Sequence, residues 1–403
     1  MRGNIVISQS GGPTAVVNSS IAGIVQEALR HPEVESIYGA INGIEGVLLE
    51  DLIDLRQEEP EAIEQLRRTP SAALGSCRWR MSPDDLKRTI NVFSAHNVKY
   101  AFFIGGNDTM ETASAVRGSV EEAGLDIRVM GVPKTVDNDL VHTDHCPGYG
   151  SVARWWAIAA RDAGLDTKAM YHPDTVKVLE TMGRDTGWIA ASTSLAREND
   201  NDPPHLIYLP EERLDEERFL GDVDEAVRDL GYVVVVVAEG LRNREGEYLS
   251  VRTDRLQADR FGHGQLGGVA NYLCSLVTSK LNLKARFDKP GTIQRVSASC
   301  ASSVDSEEAY LVGKVAAREA IGGLTGYMVT LERRTGAEYD CQTGLAKLED
   351  VAGSTRSVPR EFVSKTGNFV TRDFVSYAKP LIGGTLPRYA RLKKVPVKKR
   401  LPP

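Results

Sequence analysis

Long apolar runs are missing from this 403-residue sequence. The longest, Val233–Ala238, is far short of the roughly 20 residues a membrane-spanning helix needs. The start, Met1-Arg2-Gly3 followed by Asn4-Ile5-Val6-Ile7, lacks an apolar leader core, so no secretion signal is expected. Cysteine is scarce: five residues, an odd number without framework spacing, point to a reduced cytoplasmic setting rather than a disulfide scaffold. Positive charge is not in excess, with 49 basic against 55 acidic residues and a net charge of −6. That balance argues against a nucleic-acid binder, whose charge would be positive and clustered. The exception is the tail, where Lys393, Lys394, Lys398, Lys399 and Arg400 form either a solvated end or an anion or partner contact. Neither a solenoid repeat nor a low-complexity stretch is present. What remains is an ordinary soluble composition, 41% hydrophobic and 26% charged, long enough for two or three domains.

Apolar strands alternate with helices along most of the chain. Strands are expected at Asn4–Ser8, Lys99–Ile104, Ile127–Val132, Thr175–Leu179, His205–Leu209, Tyr232–Ala238 and Tyr327–Leu331. Between them, helical spacing predicts Val16–Leu29, Thr109–Ala123, Tyr149–Ala163, Thr186–Leu195, Glu212–Leu230, Leu266–Leu281 and Glu307–Ile321. This alternation is the signature of parallel sheets covered on both faces, the doubly wound α/β class, whose ligands sit at the C-terminal ends of strands. After about Asp340 the periodicity weakens.

The polar motifs fall at those strand ends. Ser10-Gly11-Gly12-Pro13-Thr14 joins a strand to a helix and offers backbone N–H groups to an anion, or is simply a tight turn. It matches neither the Walker loop nor the dinucleotide fingerprint. Gly105-Gly106-Asn107-Asp108-Thr109 repeats the theme with oxygen ligands suited to a phosphate and a hard cation; the alternative is that Asn107 or Asp108 caps a helix. Pro133-Lys134-Thr135-Val136-Asp137-Asn138-Asp139 is the densest cluster, with a lysine, a hydroxyl and two carboxylates directly after a strand. Phosphoryl transfer needs a carboxylate to take a hydroxyl proton and a cation near the transferred group. Arg184, in Met182-Gly183-Arg184-Asp185-Thr186-Gly187, is placed for a phosphate or sugar clamp, or for a surface salt bridge. Glu239-Gly240 and Gly291-Thr292-Ile293-Gln294-Arg295 add a carboxylate and another arginine. His142-Thr143-Asp144-His145-Cys146 has no recognised zinc spacing and reads as structural.

Taken in order, these motifs resemble the phosphofructokinase family, and within it the pyrophosphate-dependent members, from about Asn4 to about Ile321. The resemblance rests on Gly11, Gly12 and Asn18, on the Gly105–Thr109 and Pro133–Asp139 loops, on Met182-Gly183-Arg184, and on Glu239 and Gln294-Arg295. It implies two similar doubly wound three-layer lobes with mainly parallel sheets, facing each other across the active site. Residues 1–149 plus 294–345 would form the donor lobe, and 150–293 plus 346–403 the sugar-phosphate lobe. Position by position it makes Asp137 the base for the sugar 1-hydroxyl, with Thr135 and Asp139 organising the transferred phosphate and metal. Fructose 6-phosphate would meet Thr135, Val136, Asp137, Met182, Gly183, Arg184, Glu239, Thr292, Ile293, Gln294 and Arg295. Gly12, Arg78 and Lys134 would hold the diphosphate, and Asn107 the Mg²⁺. Arg286 would reach a neighbouring subunit's sugar phosphate, which implies a homodimer or homotetramer.

Two positions bear on the donor. ATP users of the family carry Gly-Gly-Asp-Gly-Ser and Pro-Gly-Thr-Ile-Asp-Asn-Asp, whereas this chain has Asp108 and Lys134 at the variable glycines. A carboxylate about 4 Å from a nucleotide's α-phosphate costs roughly 1–4 kcal/mol between water and a protein surface. Lys134 places a cation where pyrophosphate lacks the contacts of a nucleoside. The resemblance thus implies reversible Mg²⁺-dependent phosphoryl transfer from pyrophosphate to fructose 6-phosphate. An ATP-dependent or dual-donor kinase and a non-catalytic sugar-phosphate sensor are the alternatives. Three positions depart from the pattern: Asn107 stands at a usual aspartate, Thr292 at a histidine, and Thr175 at an arginine, with Lys177 two residues on.

Overall fold

The computed structural model describes residues 1–170, 174–249, 268–336 and 338–400. β1 (Gly3–Gln9), β2 (Val34–Ala40), β3 (Leu52–Asp54), β4 (Val98–Gly105) and β5 (Arg128–Pro133) lie in one sheet. β6 (Val176–Thr181), β7 (Leu206–Tyr208), β8 (Val233–Ala238) and β9 (Ala285–Asp288) form a second, and β10 (Tyr327–Arg333) and β11 (Cys341–Lys347) return to the first. The orders are β11-β10-β5-β4-β1-β2-β3 and β7-β8-β6-β9. Pairing is parallel except at the edges, β2 with β3 and β10 with β11. The doubly wound α/β class expected from the alternation is what the chain adopts.

β1 shows why. Its seven residues are all buried. Ile5 and Ile7 face one side with Tyr100, Phe102 and Ile104 of β4, under helices Val17–Ala28 and Ser303–Ile321. Val6 faces the other side with Ala101 and Phe103, under helices Pro83–Ala95 and Asn107–Glu122. A strand covered on both faces is apolar at every position, and each such side chain contributes about 1.5–3 kcal/mol. Helices Val17–Ala28 and Ser303–Ile321 cross at backbone contact. A Cβ on Gly23 would strike the carbonyl of Tyr310, and one on Gly313 the carbonyl of Ser20. In the second sheet Val234 and Val236 pack toward helix Tyr149–Ala169, and Val233, Val235 and Val237 toward helices Glu216–Leu230 and Val269–Leu281.

The differences from expectation have local causes. The helix expected over Thr186–Leu195 runs only over Trp188–Ser192 before tightening into a 3₁₀ turn. There Ser192 and Thr193 hydroxyls donate back to the carbonyls of Ile189 and Ala190, in competition with the helix. The helix expected from Glu212 starts at Glu216, where the Asp215 side chain caps it. Leu266, the expected start of another helix, lies outside the described residues. β2, β3, β9 and β11 were not foreseen.

The segment after Asp340 has four parts. β11 pairs with β10 along its length. Residues 353–358 then run without helix or strand, and Val358 is buried in the core of the second sheet. Phe362, Phe374 and Tyr377 next gather around Trp188, with ring centroids 5.4–6.4 Å away. From Arg388 to Arg400 the chain is exposed, tied back by Arg391, which pairs with Asp202 and Glu198, and by the Tyr389 hydroxyl, which donates to Asp162 at 2.7 Å. Among the described residues, no helix is long and apolar enough to cross a membrane.

Candidate active site

The strand order of the first sheet reverses between β1 and β4, a switch point where doubly wound folds bind ligands. The glycine loops after both strands open there into a cleft of about 350 Å³. The second sheet contributes the loops after β6 and β8. One space therefore collects Gly12, Arg78, Asn107, Asp108, Lys134, Thr135, Val136, Asp137, Asp139, Met182, Arg184, Glu239 and Arg295, drawn from seven separate stretches of chain.

Lys134 anchors the first loop. Its ammonium donates to the carbonyls of Ser10 (2.8 Å) and Gly12 (2.9 Å), and its side chain is buried. Ser76 donates to the carbonyl of Gly11 at 2.6 Å, which brings neighbouring Arg78 to the cleft. Arg295 reaches Gly12 so closely that a Cβ there would meet its guanidinium. Its buried Nε has no hydrogen-bond partner among the described residues. The result is three cations at one glycine turn. Burial, then Arg295, pushes the Lys134 ammonium down to about 7. Burial, then Arg78, also lowers Arg295. Such a cluster is completed by a polyanion.

The carboxylates show the converse. Burial raises Asp137 above the ordinary carboxylate range. Burial and Asp137 together push Asp139 up to about 7. Burial and Asp137 likewise push Glu239 up to about 7. Asn138, at φ 54°, turns the backbone between the two aspartates. Its own amide points away from the cleft, accepting from Cys146 N (2.9 Å) and donating to the Tyr377 hydroxyl (2.9 Å). Asn107 and Asp108 open the helix Asn107–Glu122, but Gly106 occupies the cap position, so neither serves as its cap. The Asn107 amide lies 3.4 Å from Asp139 and from Thr355, while its buried Oδ1 has no partner among the described residues.

Five expected site residues stand outside this cleft. Gln294 is buried and spent on structure, accepting from Trp156 Nε1 (2.7 Å) and from the backbone of Met182 (3.1 Å). It acts on the site by fixing Met182. Gly183 forms the turn beneath that loop, at φ 127°. Thr292 and Ile293 face outward at the start of the short helix that carries Arg295. Arg286 lies on the exposed edge strand β9 and pairs with Asp174 at 2.7 Å, while Lys177 pairs with Asp288. Conversely, Gly353 and Thr355 line the cleft from the C-terminal segment, and Asp185 and Thr186 line it beside Arg184. Adjacency to Met182-Gly183-Arg184 was a signal for the latter pair; nothing local marked the former.

His145 lies in the interior, outside the residues that line the cleft. It is buried and sits 2.7 Å from Glu308, with Asp144 on its other side. Cys341 approaches the same pair.

Comparison with known proteins follows the same lines. The phosphofructokinase family model matches residues 4–318. The pyrophosphate–fructose 6-phosphate 1-phosphotransferases of Methylococcus capsulatus and Halomonas elongata are each 40% identical, over 99% of this chain and 98% of theirs. The crystal structure of a pyrophosphate-dependent phosphofructokinase from Marinobacter aquaeolei matches at a TM-score of 0.86 and 39% identity, over 99% of this chain and 98% of that one. With the glycine loops, the paired aspartates and the cation cluster gathered in one cleft, and with relatives alike over their whole length, this chain belongs to the phosphofructokinase family.

Proposed function

We propose that the protein is a pyrophosphate-dependent 6-phosphofructokinase, transferring a phosphoryl group reversibly from pyrophosphate to the 1-hydroxyl of fructose 6-phosphate. The observation that carries the donor assignment is the placement of Asp108 and Lys134. Lys134 ties down the turn that would hold the diphosphate. Asp108 lines both the cleft and a side cavity of about 230 Å³ bounded by Trp79, Arg80, Met81 and Thr112. A donor longer than pyrophosphate would extend past that carboxylate. A short donor ends before it.

In this reading Gly12, Arg78 and Lys134 hold pyrophosphate. Met182, Arg184, Glu239 and Arg295 hold the sugar phosphate, with Gly183 turning their loop and Gln294 acting through Met182. Asp137 takes the proton of the 1-hydroxyl; the sugar oxygen then bonds to the near phosphorus, the bridging P–O bond breaks, and phosphate leaves. Burial raises Asp137 above the ordinary carboxylate range, which makes its ionised form a stronger proton acceptor. Thr135 fixes the base's backbone, its hydroxyl accepting from Asp137 N at 3.1 Å. The Asn107 amide donates from Nδ2 to Asp139 at 3.4 Å and leaves its buried Oδ1 without a partner among the described residues, so that oxygen and the Asp139 carboxylate are donors of the type that suits Mg²⁺. Asn107 and Asp139 would hold the ion, which supplies neutralising charge to the phosphoryl oxygens.

The two lobes are taken as residues 1–149 plus 294–345 and 150–293 plus 346–403, supported by the two sheets. A homodimer or homotetramer is supported by Arg286, which lies outside its own cleft. A cytoplasmic setting is supported by cysteines that are all free among the described residues. Initial rates with fructose 6-phosphate and Mg²⁺ test the function, comparing pyrophosphate with ATP. Turnover with pyrophosphate alone is expected. Turnover with ATP alone refutes the donor assignment.

A further inference from the structure

The aspartate loop is held by a residue from the far end of the chain. Arg356 Nη2 donates to the carbonyl of Asn138 at 2.8 Å, and Nη1 donates to the carbonyls of Thr143 (2.7 Å) and Asp144. Its own backbone N–H donates to the carbonyl of Asp139 at 2.8 Å. Its carbonyl accepts from Trp188 Nε1 at 3.0 Å, and its guanidinium lies 4.7 Å from the Trp188 ring. One side chain thus grips the left-handed turn at Asn138, both sides of the loop that follows it, and the helix beyond Met182-Gly183-Arg184. Glu211 secures the same strap, accepting from Val358 N (2.8 Å) and Gly187 N (2.9 Å). A planar guanidinium with several fixed N–H vectors can hold three carbonyls at once, whereas an ammonium is a point donor.

We propose that Arg356 is a positioning residue for phosphoryl transfer, fixing the Asn138 turn so that the carboxylates of Asp137 and Asp139 stay aimed at the cleft. This rests on the pyrophosphate reading above. Arg356 is not among the residues lining the cleft, so its loss acts through the loop's geometry, together with the loss of a positive charge that lowers Asp139, a charge the lysine variant keeps. A displacement of about 1 Å at a reacting group can cost about 100-fold in rate.

The test compares wild type, Arg356→Ala and Arg356→Lys as full-length enzymes, measuring kcat, both KM values, the melting midpoint, and activity with added guanidinium at non-denaturing concentration. In both variants kcat is expected to fall about 100-fold while each KM stays within about threefold. Guanidinium is expected to restore part of the alanine variant's activity and none of the lysine variant's. The lysine variant keeps the charge and the packing stem, so it reports even if the alanine variant does not fold. Retention of kcat within about threefold in a folded variant overturns the proposal. Wild-type-like kcat in the lysine variant does so too, as does the absence of guanidinium rescue in a folded alanine variant. An inactive wild type refutes the pyrophosphate reading instead, so the two failures are distinguishable.

Discussion

Replacing Lys134 by methionine tests the donor site most directly. The substitution keeps the stem's volume and removes a cation that touches two carbonyls, 2.8 and 2.9 Å away, at the turn assigned to pyrophosphate. At about 4 Å and an effective dielectric of 20, one unit charge pair is worth about 4 kcal/mol. A charge-assisted hydrogen bond contributes about 1.5–3 kcal/mol net. Taking about 3 kcal/mol as the loss gives a drop of about 100-fold or more in kcat/KM for pyrophosphate, with KM for fructose 6-phosphate little changed. The pH profile adds a second reading. Burial and Arg295 bring the Lys134 ammonium down to about 7. The charged form is the useful one, so kcat/KM for pyrophosphate falls as pH rises through about 7. A bound polyanion raises that value, so the alkaline limb of kcat at saturating pyrophosphate lies higher. The assay is the initial rate across pH 6–9 for both proteins. A folded Lys134→Met enzyme that loses less than about tenfold, or keeps the wild-type alkaline limb, refutes the reasoning.

Asp137→Ala should lower kcat by about 100-fold or more while calorimetry still detects fructose 6-phosphate binding; loss of binding with turnover kept would exclude Asp137 as the base. Asp108→Gly joins the cleft to the side cavity, and the roughly 1–4 kcal/mol of repulsion it removes should raise ATP-supported turnover about tenfold, whereas an unchanged ATP rate would dissociate Asp108 from donor choice. For His145, burial alone would lower the imidazolium, but the carboxylates of Asp144 and Glu308 on either side of the ring outweigh it and raise it to about 9. Its contribution to stability is therefore complete below about 6.5 and is lost as pH rises through about 9, a change of about 3 kcal/mol. The melting-midpoint gap between wild type and Glu308→Gln should shrink over that window; a constant gap would rule out a charged His145.

Much of the cleft was legible because its chemistry sits where apolar strands stop. Gly105-Gly106-Asn107-Asp108 and Pro133–Asp139 each follow a strand buried on both faces, so an abrupt change from apolar to polar marks the strand end. β2 and β11 escaped because their side chains are only partly covered and show no sustained apolar pattern. β9 escaped because it is four residues long and largely exposed. Gln294 illustrates a different limit. Composition places an amide near Arg295, but only the packed structure shows that Trp156 and Met182 have claimed it. Arg356 is further still from local inference: its partners are backbone carbonyls more than 200 positions earlier, which no side-chain motif encodes.

The bare contact of Gly23 with Tyr310, and of Gly313 with Ser20, has a consequence for biosynthesis. It sews the first helix of the chain to one made about 290 residues later. The seven-stranded sheet also needs β10 and β11, so the ribosome must have released nearly the whole polypeptide before that sheet can close. The four-stranded sheet draws only on residues 176–288 and can assemble while the rest is still being synthesised. During that interval β1 and β4 lack one of their covering helices and display apolar strands, a form of exposure that favours association with other nascent chains. The enzyme's dependence on folding assistance should therefore centre on its N-terminal third, and a truncation just before Ser303 should leave that third unable to mature.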